Sequence, residues 1–244
     1  MNIHLILQSK GGVGKSIIAT FLTQFLKNKM NKNVACLDID PSNQSFFAFK
    51  EFNTTFINIL DSETQDIDPN KFDEIYTYIE NLQVDDLIID SGSSCYIPFL
   101  KFIIANSVID LLKELGHNII IHTVIVGGKG QNESKQSIYT LIKNLENYAV
   151  PTYIWNNPYF GKFIDNNNTF TESNLYKELE DQIAGVIELP KFDVVFNNAL
   201  EEIQQKNLTF ESAILSNQYN MLKKQRIKNI KSAIFESINP YFGE

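Results

Sequence analysis

Short apolar segments alternate with longer amphipathic segments along most of the chain. Six apolar runs are typical of buried strands, at residues 3–8, 34–39, 87–90, 119–126, 152–155 and 185–189. Between them, apolar side chains recur every three or four positions and predict helices over 16–29, 68–79, 99–115, 134–147, 199–205 and 212–235. Strands that alternate with helices predict an α/β fold, a mostly parallel, doubly wound sheet with helices on both faces.

Local signals support two of these helix boundaries. Asp68 followed by Pro69 is typical of a helix start, because proline fits the first helical position. Gly116 follows the 99–115 segment as a C-terminal cap would. No repeat or linker-like change of composition interrupts the pattern, so residues 1–244 are predicted to form a single domain.

The composition is that of an acidic globular protein. The chain has 244 residues, 43% of them hydrophobic, and a formal charge of -8, which excludes a fully disordered chain. No apolar run approaches the ~18 residues of a membrane span, and the first run is too short for a signal peptide, so we expect a cytoplasmic protein. Cys36 and Cys95 are far apart without a CxxC spacing, which argues against a metal or disulfide framework.

Positive charge concentrates near the end of the chain. Residues 212–235 contain no acid and hold five cations, a charge of +5. Because the net charge is -8, the rest of the chain carries -13. These cations are Lys223, Lys224, Arg226, Lys228 and Lys231. One interpretation is an amphipathic helix whose apolar face packs on the sheet while the cations are solvated. The alternative is a weak, non-specific contact with DNA phosphates. A membrane anchor is disfavoured, because residues 238–244 are too short and too interrupted for an interfacial helix.

A glycine-rich loop joins the first predicted strand to the first helix. The segment reads Ser9, Lys10, Gly11, Gly12, Val13, Gly14, Lys15, Ser16. Backbone amides of such a loop, together with the helix N-terminus, bind phosphate groups. In this motif Lys15 would reach the β- and γ-phosphates and the Ser16 hydroxyl would coordinate Mg²⁺. Ser9 stands where the strict pattern has glycine, and a second lysine, Lys10, is added.

Three acids follow predicted strands. Asp38 and Asp40 end the second strand and Asp90 ends the third, at the sheet edge where the glycine-rich loop opens. Asp90 has the form of a Walker B acid, which holds Mg²⁺ directly or through water. Any one of these acids could instead cap a helix or lie in a solvated loop.

The string KGGVGKS at an N-terminal strand end resembles the deviant Walker A motif of the ParA/MinD superfamily. The resemblance implies an ATP- and Mg²⁺-dependent homodimer in which Lys10 contacts nucleotide bound to the opposite subunit. It assigns catalysis to Lys10, Lys15 and Asp40, with Asp40 positioning the attacking water. Ser16, Asp38 and Asp90 become the metal-side residues.

The same resemblance suggests how the base is bound. Asn156 occupies the position of an asparagine that reads the adenine edge, and Pro190 that of a backbone contact to the same ring. Asn157 is the alternative to Asn156. The implied nucleotide-binding residues are Lys10, Gly11, Gly12, Val13, Gly14, Lys15, Ser16, Asn156 and Pro190.

Segments outside these motifs resemble the ParA-like TraL family of plasmid conjugal-transfer proteins. They are Leu7 and Gln8 together with residues 38–43, 68–73, 115–117, 121–125, 155–161 and 208–210. The resemblance implies an accessory ATPase in plasmid conjugal transfer or mobilisation, with a conjugation or mobilisation protein as partner. A nucleotide-loaded adaptor with little hydrolysis and a plasmid-partition ATPase remain alternatives.

Overall fold

A computed structural model describes residues 1–243 of the chain. All strands of its seven-stranded sheet run parallel, in the order β3-β2-β4-β1-β5-β6-β7. They are β1 (Asn2–Ile6), β2 (Val34–Asp38), β3 (Thr55–Phe56), β4 (Asp86–Asp90), β5 (Asn118–Val126), β6 (Thr152–Asn157) and β7 (Ile183–Glu188). The predicted α/β fold is confirmed, and among the strands of the described residues only the two-residue β3 was missing from the prediction.

Helices cover both faces of the sheet. They are α1 (Lys15–Asn28), α2 (Asp73–Glu80), α3 (Tyr96–Ala105), α4 (Val108–Glu114), α5 (Gln131–Leu145), α6 (Asn174–Leu179), α7 (Val194–Gln205), α8 (Phe210–Leu215) and α9 (Met221–Phe242). Alternate strand residues point to opposite faces, as in β4, where Ile88 packs in a cluster with α1, α7 and α9. Leu87 and Ile89 pack with α2, α3 and α4 on the other face.

Two predicted helices are each divided in the structure. The 99–115 segment breaks at Ser107, which adopts a left-handed φ of 50° between α3 and α4. The 212–235 segment breaks between α8 and α9, because Thr209 and Asn220 each cap a separate helix with a side-chain oxygen. The first turn predicted at Asp68 and Pro69 is a 3-10 helix, Pro69–Phe72, which leads into α2.

The last helix extends further than predicted, to Phe242 and not to Phe235. Helix α9 continues through Pro240 to Phe242, and the Phe242 ring packs against His4, His122 and Tyr153. Gly185 leaves room for Tyr241, whose hydroxyl donates to the carbonyl of Val186 (2.7 Å). Burial of these terminal aromatic side chains therefore stabilises a helix that the local sequence alone does not favour. None of the helices in residues 1–243 is long and apolar enough to cross a membrane.

A buried hydrogen-bonded chain crosses four neighbouring strands beneath Phe242. The Trp155 indole donates to Nδ1 of His122 (2.9 Å), so the proton of neutral His122 lies on Nε2. That proton is donated to Nδ1 of His4 (2.9 Å). The Nε2 of His4 then donates to the Asp86 carboxylate (3.1 Å). The His122 imidazole is therefore satisfied only in its neutral form, with its proton on Nε2.

The free energy of unfolding should fall as the pH drops below about 6.5, the ordinary pKa of histidine. Burial and the neighbouring His4 hold the pKa of His122 well below this value. Below about pH 6.5, His122 therefore binds a proton in the unfolded chain but not in the folded chain. One such proton changes the unfolding free energy by about 1.4 kcal/mol per pH unit. Denaturant unfolding between pH 7.5 and 5.5 measures the slope.

A His122→Gln variant, although less stable at pH 7.5, should show a shallower slope over the same range. His117→Gln is the control and should change the slope less, because partial burial and the N-terminal ammonium lower the pKa of His117 but not as far as that of His122. An unchanged slope in His122→Gln would contradict this assignment.

Candidate nucleotide-binding site

The predicted loop and acids meet at one edge of the sheet. Parallel pairing aligns Ile6 with Asp90 and Asp38 with Asp90, so the carboxyl ends of β1, β2 and β4 lie side by side. A cavity of about 500 Å³ opens there. Its lining includes Gly11, Gly12, Gly14, Lys15, Ser16, Asp40, Asn157, Pro190, Phe21, Leu200 and Gln204. We call the part of the lining formed by the glycine-rich loop and Asp40 the polar end of the cavity. The rest of the lining includes apolar side chains of α1, α7 and α9.

The glycine-rich loop is held from several sides. Gly12 and Gly14 have φ values of 74° and 106°, which side-chain-bearing residues rarely adopt. The Gln8 carboxamide bridges two segments, since it accepts from the amide of Lys10 (3.2 Å) and donates to the carbonyl of Val124 (2.7 Å). Ser9, at the non-glycine position, donates its amide to the Ser137 hydroxyl (3.0 Å). The loop is thus ordered by the protein itself before any anion binds.

The two lysines of the loop point in different directions. Lys15 is buried, and its ammonium donates to the carbonyl of Lys10 (3.2 Å) across the loop. Burial lowers the pKa of Lys15, while the nearby Asp90 and Asp40 charges oppose that shift. The Lys10 side chain is 37% exposed and lies outside the cavity lining, 3.5 Å from the carboxylate of Glu133 on α5. Lys15 therefore faces the site and Lys10 faces outward.

Asp90 is a buried acid whose ionised form is only weakly compensated. Both carboxylate oxygens lack a hydrogen-bond partner within residues 1–243. Burial raises the pKa of Asp90 to about 8, against the lowering effects of the Ser16 hydroxyl and the Lys15 charge. A carboxylate beside a hydroxyl at a phosphate loop suits Mg²⁺, which takes few protein oxygens and completes its shell with phosphate and water. Ser16 and Asp90 thus fit the predicted metal.

Asp38 lies close enough to Asp90 for its charge to raise the pKa of that acid, and its metal-side role stays a prediction. Its side chain is fully buried outside the cavity lining. One oxygen accepts from the amide of Asp40 (2.9 Å) and the other from the amide of Phe47 (2.9 Å). Because both oxygens bind backbone amides, Asp38 fixes the two ends of the 40–47 loop.

Asp40 does line the cavity. Its carboxylate accepts from the amides of Ser42 (2.9 Å) and Asn43 (3.2 Å), which orients it in its own loop. Its charge is close enough to raise the pKa of the buried Asp90. Asp40 therefore lies where the sequence predicted, at the polar end of the cavity.

The choice between the two asparagines is corrected by strand geometry. Adjacent strand residues point to opposite faces, and Asn157 faces the cavity while Asn156 does not. Asn157 donates to the carbonyl of Val13 (2.9 Å), whereas Asn156 donates to the carboxylate of Glu188 (2.8 Å). Pro190 lines the cavity as predicted. The Val13 side chain packs in the core, so only the backbone of this residue is available to a bound phosphate.

The basic segment is partly neutralised within the chain. On α9, Lys223 pairs with Glu202 of α7, and Lys231 pairs with Glu211 of α8. Among the described residues, Lys224, Arg226 and Lys228 form no ion pair. Of the five cations that the sequence placed in this segment, three are therefore left without an ion pair among the described residues.

Comparisons with known proteins place this chain in a family. The sequence profile of the CobQ/CobB/MinD/ParA nucleotide binding domain matches residues 5–210, which include the loop and all three strand-end acids. An Escherichia coli protein named TraL is 30% identical over 238 residues, which cover 97% of each chain. A second Escherichia coli protein of that name is 30% identical over 237 residues. This chain is a TraL-like member of the MinD/ParA nucleotide-binding family.

Solved structures show the same fold as this family member. A chain of the MinC:MinD cell division protein complex from Aquifex aeolicus has a TM-score of 0.58 at 12% identity, covering 100% of this chain and 96% of that one. A Borrelia burgdorferi B31 chain described as a plasmid partition protein, bound to AMPPNP, has a TM-score of 0.51 at 18% identity and covers 98% of each chain. At these identities the likeness extends to the fold alone.

Sequence reasoning missed several residues that shape the site. Gln8 and Ser137 hold the loop, Glu133 pairs with Lys10, and Gly92 lies against Asp40. Gln8 directly precedes the motif, which was an available signal. Ser137 and Glu133 come from α5, more than 120 positions away, and only folding brings them to the loop.

Replacement of Asp90 by asparagine should have opposite effects on stability and on metal-dependent binding. Without nucleotide or Mg²⁺, Asp90→Asn should raise the thermal midpoint by a few degrees, at ~2–4 °C per kcal/mol, because asparagine needs neither a buried charge nor the bound proton that a pKa of about 8 imposes on Asp90 at about pH 7. Mg²⁺-dependent nucleotide affinity should fall at least about tenfold, the loss typical even of residues behind metal ligands. Thermal scans and nucleotide titrations with and without Mg²⁺ measure both.

The matched control is Asp86→Asn, at the other end of β4. Although burial opposes it, hydrogen bonds from His4 and Asn2 lower the pKa of Asp86, so its ionised form is compensated. This variant should lose stability and keep Mg²⁺-dependent binding. The same stability change in both variants would contradict the special state of Asp90.

Proposed function

We propose that this protein is a Mg²⁺-dependent, ATP-hydrolysing switch that forms a homodimer when ATP is bound. The observation that carries the proposal is the buried Asp90 carboxyl group, whose oxygens lack a hydrogen-bond partner among the described residues, beside Ser16 and Lys15 of the phosphate loop. A buried charge of this kind is costly unless a ligand neutralises it. The membership of the chain in a nucleotide-binding family supports the same reading.

The chain's own residues would supply most of the catalysis by position and charge. Loop amides and the N-terminus of α1 would hold the phosphates, and Lys15 would leave the Lys10 carbonyl to neutralise them. Asp40 would orient the attacking water at the polar end of the cavity. Mg²⁺ held by Ser16 and Asp90 would add charge neutralisation at the terminal phosphates. The opposite, more apolar end would take the base, with Asn157 and Pro190 beside it.

Dimerisation would depend on Lys10. In the single chain its ammonium pairs with Glu133 at 3.5 Å and leaves the cavity to Lys15. Both partners are exposed enough for the pair to be weak, so exchange of Glu133 for a phosphate on a second copy costs little. The γ-phosphate would thus control association of the two subunits.

Lys10→Ala should abolish ATP-induced dimerisation and lower phosphate release by about a thousandfold, the scale of a cation supplied in trans. Size-exclusion chromatography with light scattering and a phosphate-release assay measure the two effects. Lys129→Ala, which removes an exposed lysine of the neighbouring loop, is the matched control and should behave as wild type. Normal dimerisation and turnover in Lys10→Ala would disprove this mechanism.

Asp40→Ala should retain ATP binding and dimerisation but lower phosphate release by at least about 100-fold, as expected on loss of a water-positioning group. Nucleotide titration and phosphate release, run on the same preparation, separate binding from hydrolysis. Unaltered phosphate release would remove Asp40 from this role.

The biological role proposed is that of a cytoplasmic accessory ATPase in plasmid conjugal transfer or mobilisation, which docks a conjugation protein in its ATP-bound form. It is supported by the two TraL relatives. Co-purification of partners with the Asp40→Ala protein in ATP tests it. Persistent absence of phosphate release from the wild-type protein, with tight ATP binding and with the captured partner added, would favour a nucleotide-loaded adaptor instead.

The three cations of α9 without ion pairs define the proposed DNA-contacting surface, namely Lys224, Arg226 and Lys228. If this surface binds DNA, replacing all three by glutamine should abolish salt-sensitive retention of duplex DNA by the ATP-bound protein. The control replaces Lys223 and Lys231, which are already paired with Glu202 and Glu211, and should reduce retention less. Filter binding at 50 and 200 mM salt distinguishes the two variants, and equal losses would contradict the proposed surface.

A further inference from the structure

The turn that follows β4 contacts both β1 and the 40–47 loop beside the polar end of the cavity. This segment, residues 91–95, is anchored by the Ser91 hydroxyl, which donates to the carbonyl of Ile6 (2.7 Å). The Cys95 thiol donates to the carbonyl of Gly92 (3.2 Å) and fixes the turn internally. The hydroxyls of Ser94 and Ser42 lie 3.2 Å apart, which joins the turn to the 40–47 loop. The turn is therefore held between the first strand and the loop that carries Asp40.

Gly92 lies against the carboxylate of Asp40. A Cβ atom at position 92 would lie within 2.7 Å of the carboxylate carbon and both oxygens of Asp40. Real Cβ atoms essentially never approach other atoms within 3.0 Å, so any larger residue at position 92 must displace something. The space that glycine leaves empty is the space that the Asp40 carboxylate occupies.

We propose that Gly92 is a positioning residue for Asp40, which sets the place of its carboxylate at the polar end of the cavity. The inference rests on the proposed function, because it assumes that Asp40 orients the attacking water. It adds that this orientation depends on close contact between the end of β4 and the loop after β2. Asp90 and Asp40 are thus held in one arrangement, because a single residue, Ser91, separates Asp90 from Gly92.

The displaced group would be the Asp40 side chain and not the turn. Gly92 has no left-handed φ, so alanine can adopt its backbone conformation without strain. The turn is anchored by Ser91 and Cys95, whereas the Asp40 carboxylate is the end of a side chain that can rotate. Such rotation would break its bonds to the amides of Ser42 and Asn43 and move it away from the water.

Gly92→Ala tests the proposal through a separation of kinetic constants. The kcat for phosphate release should fall by at least about tenfold, since a misplacement of about 1 Å can cost up to 100-fold, while KM and ATP affinity stay within about threefold. Gly185→Ala is the matched control, because its Cβ would overlap the Tyr241 ring far from the cavity. It should lower the thermal midpoint and leave kcat unchanged.

A double-mutant cycle tests the contact without any enzyme activity. Gly92→Ala should lower the thermal midpoint when Asp40 is present and have no effect in an Asp40→Ala background, because the overlapping carboxylate is then gone. Gly185→Ala should cost the same in both backgrounds. This readout remains valid even if the wild-type protein releases no phosphate, so a failure of the proposed function stays distinguishable from a failure of the contact.

Three results would overturn the inference. The first, if the wild-type protein releases phosphate, is an unchanged kcat in folded Gly92→Ala protein. The second is an equal loss of stability from Gly92→Ala with and without Asp40, and the third is a Gly92→Ala/Asp40→Ala double variant that does not fold. Either of the last two would mean that the alanine clashes with the turn itself.

Discussion

The buried carboxylate of Asp90 is the constraint on which the site depends. A parallel sheet places the end of β4 between β1 and β2, and full burial leaves the carboxylate without a hydrogen-bond partner in the described chain. Such a group reduces the stability of the unliganded protein and gains most from a neutralising ligand. The chain thus has a physical reason to bind a cation and phosphate at this point.

Hydrogen bonds within the chain hold the remainder of the site in place. Gln8, Ser137 and Asn157 hold the phosphate loop by hydrogen bonds to its backbone or to its flanks. Asp38 uses both carboxylate oxygens to hold the loop of Asp40. When the loop is already held by the protein, nucleotide binding loses little free energy to ordering the loop. More of the binding free energy can then differ between nucleotide states.

Interpretation of the sequence was most successful where chemistry and position coincide along the chain. The phosphate loop, Ser16, Asp40, Asp90 and Pro190 all meet at one edge, because parallel strands bring their carboxyl ends together. It was less successful where neighbouring residues differ only in facing direction, as with Asn156 and Asn157. The bonds of Asp38 to the backbone amides of Asp40 and Phe47 were also not foreseen, because they depend on how the loop after β2 folds.

The sequence by itself determined the α/β fold and the phosphate-binding chemistry, because strand and helix periodicity and the loop motif are local signals. Tertiary structure alone decided that Lys10 pairs with Glu133, that two cations of α9 are neutralised, and that the chain end is helical. It also decided that Gly92 leaves space for Asp40. These outcomes depend on contacts between residues far apart in the chain, whose distances no local pattern encodes.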